Sequence, residues 1–439
     1  MADLVIDPVT RISGNASIRL VRDEGGNPGE ARLQAFGYRG FDLFARGSHV
    51  DNLVPLVSRI CGGDSVFHQV AAARAVEAAL GIEVPAAAGL LRELCMWGQL
   101  LERHAVSLTV HSLPDLLLPS SDPGLRNIIS IHRVDEEVVR RFMALKSLGT
   151  LVLREAGGRA VHAVNVLPGG VVRPMGEERR SRLAEKLGEA RSLLVETARL
   201  IKLLLRRNEE VVESLGEETS PCLALRSKGE MGLLGGRAVL FEEGAGERAN
   251  LSLEELQASI EERNSPHSHI RVAEIREVGS VRVGPLARVN VYGGYGSELA
   301  DAELEELKTQ WGFPFRRSML AHAARILEMI HAWEMITRLL RASPGEGSRA
   351  TASPGGGAGT GAVEAPEGML VYGLELDAEG TVKTLSITAP LQFNVGALER
   401  CLLAGARSAG EGPEGDRRAA VLLETAARSF APCIPCALH

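Results

Sequence analysis

The chain has 439 residues, a formal net charge of −7 and a pI near 6.0, which argues against a nucleic-acid binder with its basic excess. Hydrophobic residues make up 45% but aromatics only 4%, so a sizeable core must be built from Leu, Val, Ile and Ala. No run approaches the ~18 apolar residues of a membrane span, and Met1 to Asp7 lacks the basic and apolar segments of a signal peptide; the expectation is a cytoplasmic protein without a direct membrane span.

Residues 15–36 alternate apolar and polar around Gly25-Gly26-Asn27-Pro28-Gly29, which predicts a β-hairpin. Apolar positions at helical spacing then predict a helix over 68–80, stopped by Gly81, and a long one from Pro85 to about Leu113. The same pattern covers 134–154, 176–207 and 316–341. Residues 343–362 are rich in Gly, Ser and Pro and read as a flexible surface loop. The run from Gly355 to Gly361 has the glycine density of a dinucleotide fingerprint, but it follows no predicted strand and opens no predicted helix. A second hairpin follows: Leu370, Tyr372, Leu374 and Leu376 alternate, Asp377-Ala378-Glu379-Gly380 turns, and Val382 to Ile387 returns.

The expected fold class is therefore α+β and mostly helical, a long-helix bundle with small peripheral β-hairpins and sheets. The expected organisation is a single unit over 1–439. It comprises an N-terminal β-hairpin region (1–40), a helical body (50–342), the flexible loop (343–362), and a C-terminal β-hairpin and metal-motif segment (363–439).

Six cysteines are too few and too scattered for a disulfide framework. Cys95, Cys222 and Cys401 lie in apolar surroundings and read as core residues. Two other segments carry chemistry. One is Arg59-Ile60-Cys61-Gly62-Gly63-Asp64-Ser65-Val66-Phe67-His68; the other is Cys433-Ile434-Pro435-Cys436-Ala437-Leu438-His439. Two cysteines three apart can present both thiolates to one metal, and Cys61 and Asp64, also three apart, can complete the set. On spacing alone, a zinc site of Cys433, Cys436, Cys61 and either His439 or Asp64 is as good a reading as any redox metal. Lone histidines such as His104 and His331 read as satisfied structural residues.

The pair of segments resembles the two signatures of nickel–iron hydrogenase large subunits, R-x-C-G-x-C-x-x-x-H and D-P-C-x-x-C-x-x-H. The resemblance extends to Asp7-Pro8-Val9-Thr10-Arg11-Ile12-Ser13-Gly14, to Arg39-Gly40-Phe41-Asp42, to Val166 through Pro174 with Gly169-Gly170, and to Glu364-Ala365-Pro366-Glu367-Gly368. These come in the family's order along nearly the whole chain, and the multimeric branch that reduces nicotinamide, deazaflavin or heterodisulfide partners is nearest.

The resemblance implies a hydrogenase large-subunit-like fold and a Ni-Fe centre, a nickel bridged by thiolates to an iron with CO and CN ligands. It implies reversible dihydrogen oxidation and proton reduction, with electrons passed to an iron–sulfur small subunit. Further cofactor-reducing subunits and maturation proteins are the other implied partners. Cys61 and Cys433 match terminal nickel ligands, Cys436 a bridging one, and Asp64 stands at the other bridging position. Asp42 and His439 match ligands of a magnesium ion, and His68 a histidine beside a bridging thiolate.

Five positions depart from the family pattern, one of them Asn15, which stands where a His is common. Asp64 replaces a soft thiolate with a hard carboxylate that keeps the −1 charge. Ser13 stands where the family has a proton-relaying glutamate. Glu367 replaces an arginine placed over the substrate-binding face, and must be displaced, paired or protonated. If it is protonated, it would supply the relay missing at Ser13. Ala431 replaces the Asp of D-P-C. The alternative reading is a hydrogenase-derived subunit without hydrogen chemistry, with a zinc, structural or absent metal site, acting as electron relay or scaffold.

Overall fold

The computed structural model describes residues 3–342, 347–353 and 355–439. Its framework is a set of long helices: Ser65–Leu80, Ala86–Val106, Glu136–Gly157, Ala190–Arg207, Ala321–Arg341, Pro390–Ser408 and Gly412–Phe430. Among the described residues, five small antiparallel sheets lie against them. Among the described residues no helix is long and apolar enough to cross a membrane.

The helical expectations correspond to real helices with shifted ends. Asp135 starts the Glu136–Gly157 helix by accepting a hydrogen bond from the Val138 amide at 3.1 Å. The predicted 85–113 helix is α-helical to Val106, then passes through a wide π-type turn, Ser107–Ser112, into the short helix Leu113–Leu117. The predicted 176–207 helix is two, Glu177–Gly188 and Ala190–Arg207.

Both hairpins form. The N-terminal one, Ser17–Arg22 with Pro28–Gln34, gains a third strand, Leu4–Ile6, which pairs Ile6 with Ile18. Ile18, Leu20 and Leu33 are fully buried on its inner face. In the C-terminal sheet, Gly368–Leu376 pairs with Val382–Thr388 across the Asp377–Gly380 turn.

Three expectations are corrected. The 50–342 body is not purely helical: it contains a three-stranded sheet (Cys222–Arg226, Arg237–Glu242, Gly246–Ser252) and a two-stranded one (Ile260–Ser265, Ser268–Ile275). The second pair carries Glu and Arg on exposed positions, so its apolar alternation is weak. The segment from 363 onward contains two 19-residue helices besides the hairpin.

The flexible-loop reading of 343–362 fails for its second half, because Gly357–Ala365 is an edge strand of the C-terminal sheet. Residues 343–346 and 354, also within that reading, lie outside the described residues. A Cβ on Gly357, Gly359 or Gly361 would lie 2.2, 2.2 or 2.0 Å from the carbonyl oxygens of Ala79, Ala75 and Ala71. Every second strand residue, about 6.7 Å along, therefore faces every fourth helix residue, about 6 Å along. The glycines are there because the strand lies directly on the backbone of the Ser65–Leu80 helix, the helix that starts at Asp64.

Candidate metal centre

The two chemistry-bearing segments meet although they lie 372 residues apart. Cys61 sits in the bend before the Ser65–Leu80 helix, and Asp64 precedes the first turn without capping it. Asp64's carboxylate instead points at sulfur: Oδ2 is 3.4 Å from Cys61 Sγ and 3.2 Å from Cys436 Sγ. Cys433 Sγ is 3.5 Å from Cys61 Sγ, and the sulfurs of Cys433 and Cys436 are in direct contact. One ligand atom from each of the four residues lies within 4.8 Å of the others. Asp64, Cys433 and Cys436 are buried, and Cys61 is nearly so.

The C-terminal segment is docked by the chain's beginning. Ile434 N donates to Ser13 O at 2.9 Å, and Ser13 bridges Cys433 in parallel. Gly14, at φ +96°, leaves room for the next turn, since a Cβ there would lie 2.8 Å from Pro435 Cδ. Arg39 ties both motifs together, donating from Nη2 to Ile60 O at 2.7 Å and to Pro435 O at 2.5 Å.

Taking these groups out of water disfavours their charged forms. Burial, with the nearby Asp64 charge adding to it, pushes the Cys61 thiol up to about 12. Burial first and Glu367 second push the Asp64 carboxyl up to about 7, against the opposing pull of Arg103. Asp64 Oδ1 is buried without a hydrogen-bond partner. His68 is pushed down to about 3 by burial and is neutral. Its Nδ1 is hydrogen-bonded with the Tyr372 hydroxyl at 2.6 Å, and its Nε2 is buried without a partner. Three cysteine sulfurs and an orphaned carboxylate oxygen, converging in one buried site, form a metal-type donor set. A borderline or soft divalent metal suits it.

Arg103, which sequence reasoning did not single out, sits beside this cluster. From the last turn of the Ala86–Val106 helix its Nε donates to Glu367 Oε1 at 2.7 Å, and its Nη2 donates to Ser13 Oγ at 2.7 Å. The same Nε is 3.8 Å from Asp64 Oδ1. Of the three states open to Glu367, the structure shows the paired one. The available signal was a charge pair, Glu102-Arg103, in a helix that carries a second such pair, Arg92-Glu93. Ala431 ends the Gly412–Phe430 helix in a left-handed conformation, φ 49°, and turns the chain into the Cys433 motif.

The implied magnesium ligands, His439 and Asp42, lie near each other next to the C-terminal motif. His439 Nδ1 donates to Cys436 O at 2.8 Å, and burial pushes that imidazole below its ordinary value. Asp42 bonds the Tyr38 hydroxyl and lies 3.6 Å from Arg271 Nη2. Arg271 also pairs with Glu262 at 2.8 Å. A guanidinium therefore already stands among these carboxylates. His104 and His331 are satisfied, by Glu328 at 2.7 Å and by Ser297 and the Met231 carbonyl. Cys95, Cys222 and Cys401 are buried, as expected.

Known proteins share this fold and pattern. A family model described as nickel-dependent hydrogenase matches residues 39–113, and a HoxL-like model matches residues 3–36. A vhu-type F420-non-reducing hydrogenase subunit of Methanocaldococcus jannaschii is 29% identical over 409 residues, 92% of this chain and 98% of that one. The NAD-reducing hydrogenase HoxS subunit beta of Cupriavidus necator is 26% identical, covering 99% and 94%. A crystal structure of an NAD+-reducing [NiFe]-hydrogenase in the H2-reduced state superposes with a TM-score of 0.94, at 26% identity and with both chains fully covered. The fold is that of a hydrogenase-type oxidoreductase subunit. Along nearly its whole length the chain is similar to nickel–iron hydrogenase large subunits, F420-non-reducing and NAD-reducing enzymes among them.

Proposed function

We propose that this chain is the metal-holding large subunit of a hydrogenase-type complex, with Cys61, Asp64, Cys433 and Cys436 holding a Ni-Fe centre. The observation that carries the reading is the convergence of these four buried ligand atoms within 4.8 Å from opposite ends of the sequence. A bound centre would supply the site at which dihydrogen is split or formed. The chain's own residues bury that site, hold its ligands from two docked segments, and place Ser13 and Glu367 on one guanidinium. His68, whose Nε2 is buried without a partner, is the candidate hydrogen-bond donor toward a ligand of the centre. Six cysteines cannot bind the centre and also supply iron–sulfur clusters at four thiolates per cubane. Electrons therefore leave through an iron–sulfur partner subunit, and maturation proteins assemble the centre in the cytoplasm. Asp42 and His439 are the candidate magnesium ligands.

A second reading is favoured by one residue. With a hard carboxylate at Asp64, three thiolates and one oxygen also make a closed tetrahedral zinc site of structural type. Metal analysis of the complex purified with its partners decides between the two. Near-stoichiometric nickel, iron beyond the partner's clusters and hydrogen-dependent dye reduction are expected. Zinc without nickel would overturn the hydrogenase reading.

A further inference from the structure

We propose that Arg103 is the positioning residue of this centre, a cation delivered from the Ala86–Val106 helix that makes Ser13, Asp64 and Glu367 one interdependent set. The inference rests on the reading of Cys61, Asp64, Cys433 and Cys436 as a metal site.

The three partners come from three separate segments. Ser13 belongs to the N-terminal platform, Asp64 to the start of the Ser65–Leu80 helix, and Glu367 to the turn between the Gly357–Ala365 and Gly368–Leu376 strands. All three are reached by one planar fork, from Nε and Nη2. A lysine, a single point charge, cannot present that fork. The guanidinium also packs on the ligand loop: a Cβ on Gly63 would lie 3.1 Å from its Nη1. Glu367 cannot swing away to relieve its charge. Arg288 grips its turn through the carbonyls of Ala365 and Pro366, and the Glu367 backbone abuts Gly284.

The charge count fixes the consequence. Arg103 at +1 balances Glu367 at −1 and leaves Asp64 and the thiols to meet a metal. Removing Arg103 alone adds net negative charge beside the ligands; removing the Glu367 charge alone adds net positive charge. Removing both restores the balance. Affinity for a divalent cation should follow that order and not the order of damage to the fold.

The test is titration of the metal-stripped full chain with Co2+, read by thiolate-to-cobalt absorption, with thermal midpoints measured in parallel. Arg103→Met should bind Co2+ at least about tenfold more tightly than wild type, and Glu367→Gln at least about tenfold more weakly. The Arg103→Met/Glu367→Gln pair should return to within about threefold of wild type. Arg103→Lys, which keeps the charge and loses the fork, should fall between wild type and Arg103→Met. Equal affinities in all variants, or weaker binding in every one in step with its thermal midpoint, would overturn the proposal and leave Arg103 a structural ion pair. If a single variant does not fold, the double variant decides alone: recovery supports the proposal and loss of binding overturns it. A wild-type chain that takes up no Co2+ would instead overturn the metal-site reading beneath it.

Discussion

Asp64 gives the sharpest energetic prediction. In metal-free protein its carboxyl is raised from an ordinary 3.8 to about 7, chiefly by burial and then by Glu367. A carboxyl raised on folding is held more firmly protonated in the native state than in the unfolded one. Its penalty on stability is absent below the unfolded value, grows as pH rises between the two values, and is constant above about 7. At about 1.36 kcal/mol per pH unit, that penalty is roughly 2 kcal/mol at pH 5 and roughly 4 kcal/mol at pH 8. Asp64→Asn removes the titrating group and keeps the shape. Urea unfolding of the two metal-free chains should therefore show wild type losing about 2 to 3 kcal/mol relative to Asp64→Asn between pH 5 and pH 8. The Cys61 thiol, pushed up to about 12, stays protonated in both native chains and does not contribute. A divalent ion added at pH 8 should recover the loss in wild type, because a bound cation favours the ionised carboxylate. Parallel pH profiles for the two chains would refute the burial argument.

Two further predictions concern the parts that hold the site. Gly361→Ala places a Cβ 2.0 Å from the Ala71 carbonyl oxygen and must lift the strand off the helix. A loss of about 3 kcal/mol or more is expected by denaturation, against a small gain for Gly89→Ala, a helical position with nothing within 4 Å. Gly14→Ala, strained at φ +96° and 2.8 Å from Pro435, should release the C-terminal ligand segment before it harms the fold. Metal content per chain should drop severalfold while far-ultraviolet circular dichroism is unchanged, and intact metal content would refute the platform role.

Much of this was legible in the sequence, for identifiable reasons. Long helices declare themselves through apolar spacing, and both hairpins through alternation and a turn of Gly, Asn, Pro or Asp. The four candidate ligand residues were legible because Cys61-x-x-Asp64 and Cys433-x-x-Cys436 are short-range patterns. Other features depend on what lies opposite a residue. The Gly357–Ala365 strand reads as a loop because Gly357, Gly359 and Gly361 suggest freedom until the Ser65–Leu80 helix is placed beneath them. The Gly412–Phe430 helix was hidden by Gly410, Gly412 and Gly415 at its start. Arg103 and Arg271 were missed because their partners are 39 to 264 and 9 to 229 residues away in sequence. No local window records such pairings.

The departures that make the motif look damaged acquire a common cause in that geometry. Judged separately, a carboxylate at 64, a serine at 13 and a glutamate at 367 each remove something from the family pattern. In space the three touch one buried guanidinium, and the charge that position 367 lacks is supplied from the neighbouring helix. Three cysteine sulfurs and a carboxylate held within 4.8 Å of one another in a buried site are a costly cluster that a bound metal would stabilise. Here the chain closes a contact across 372 residues to bring Asp64 to Cys436, and docks the second motif on Ser13, Gly14 and Arg39. A bound metal would join the two chain ends and return its binding energy as folding energy. That closure is the observation behind the proposed metal centre, and Arg103 is the residue around which its charge would be balanced.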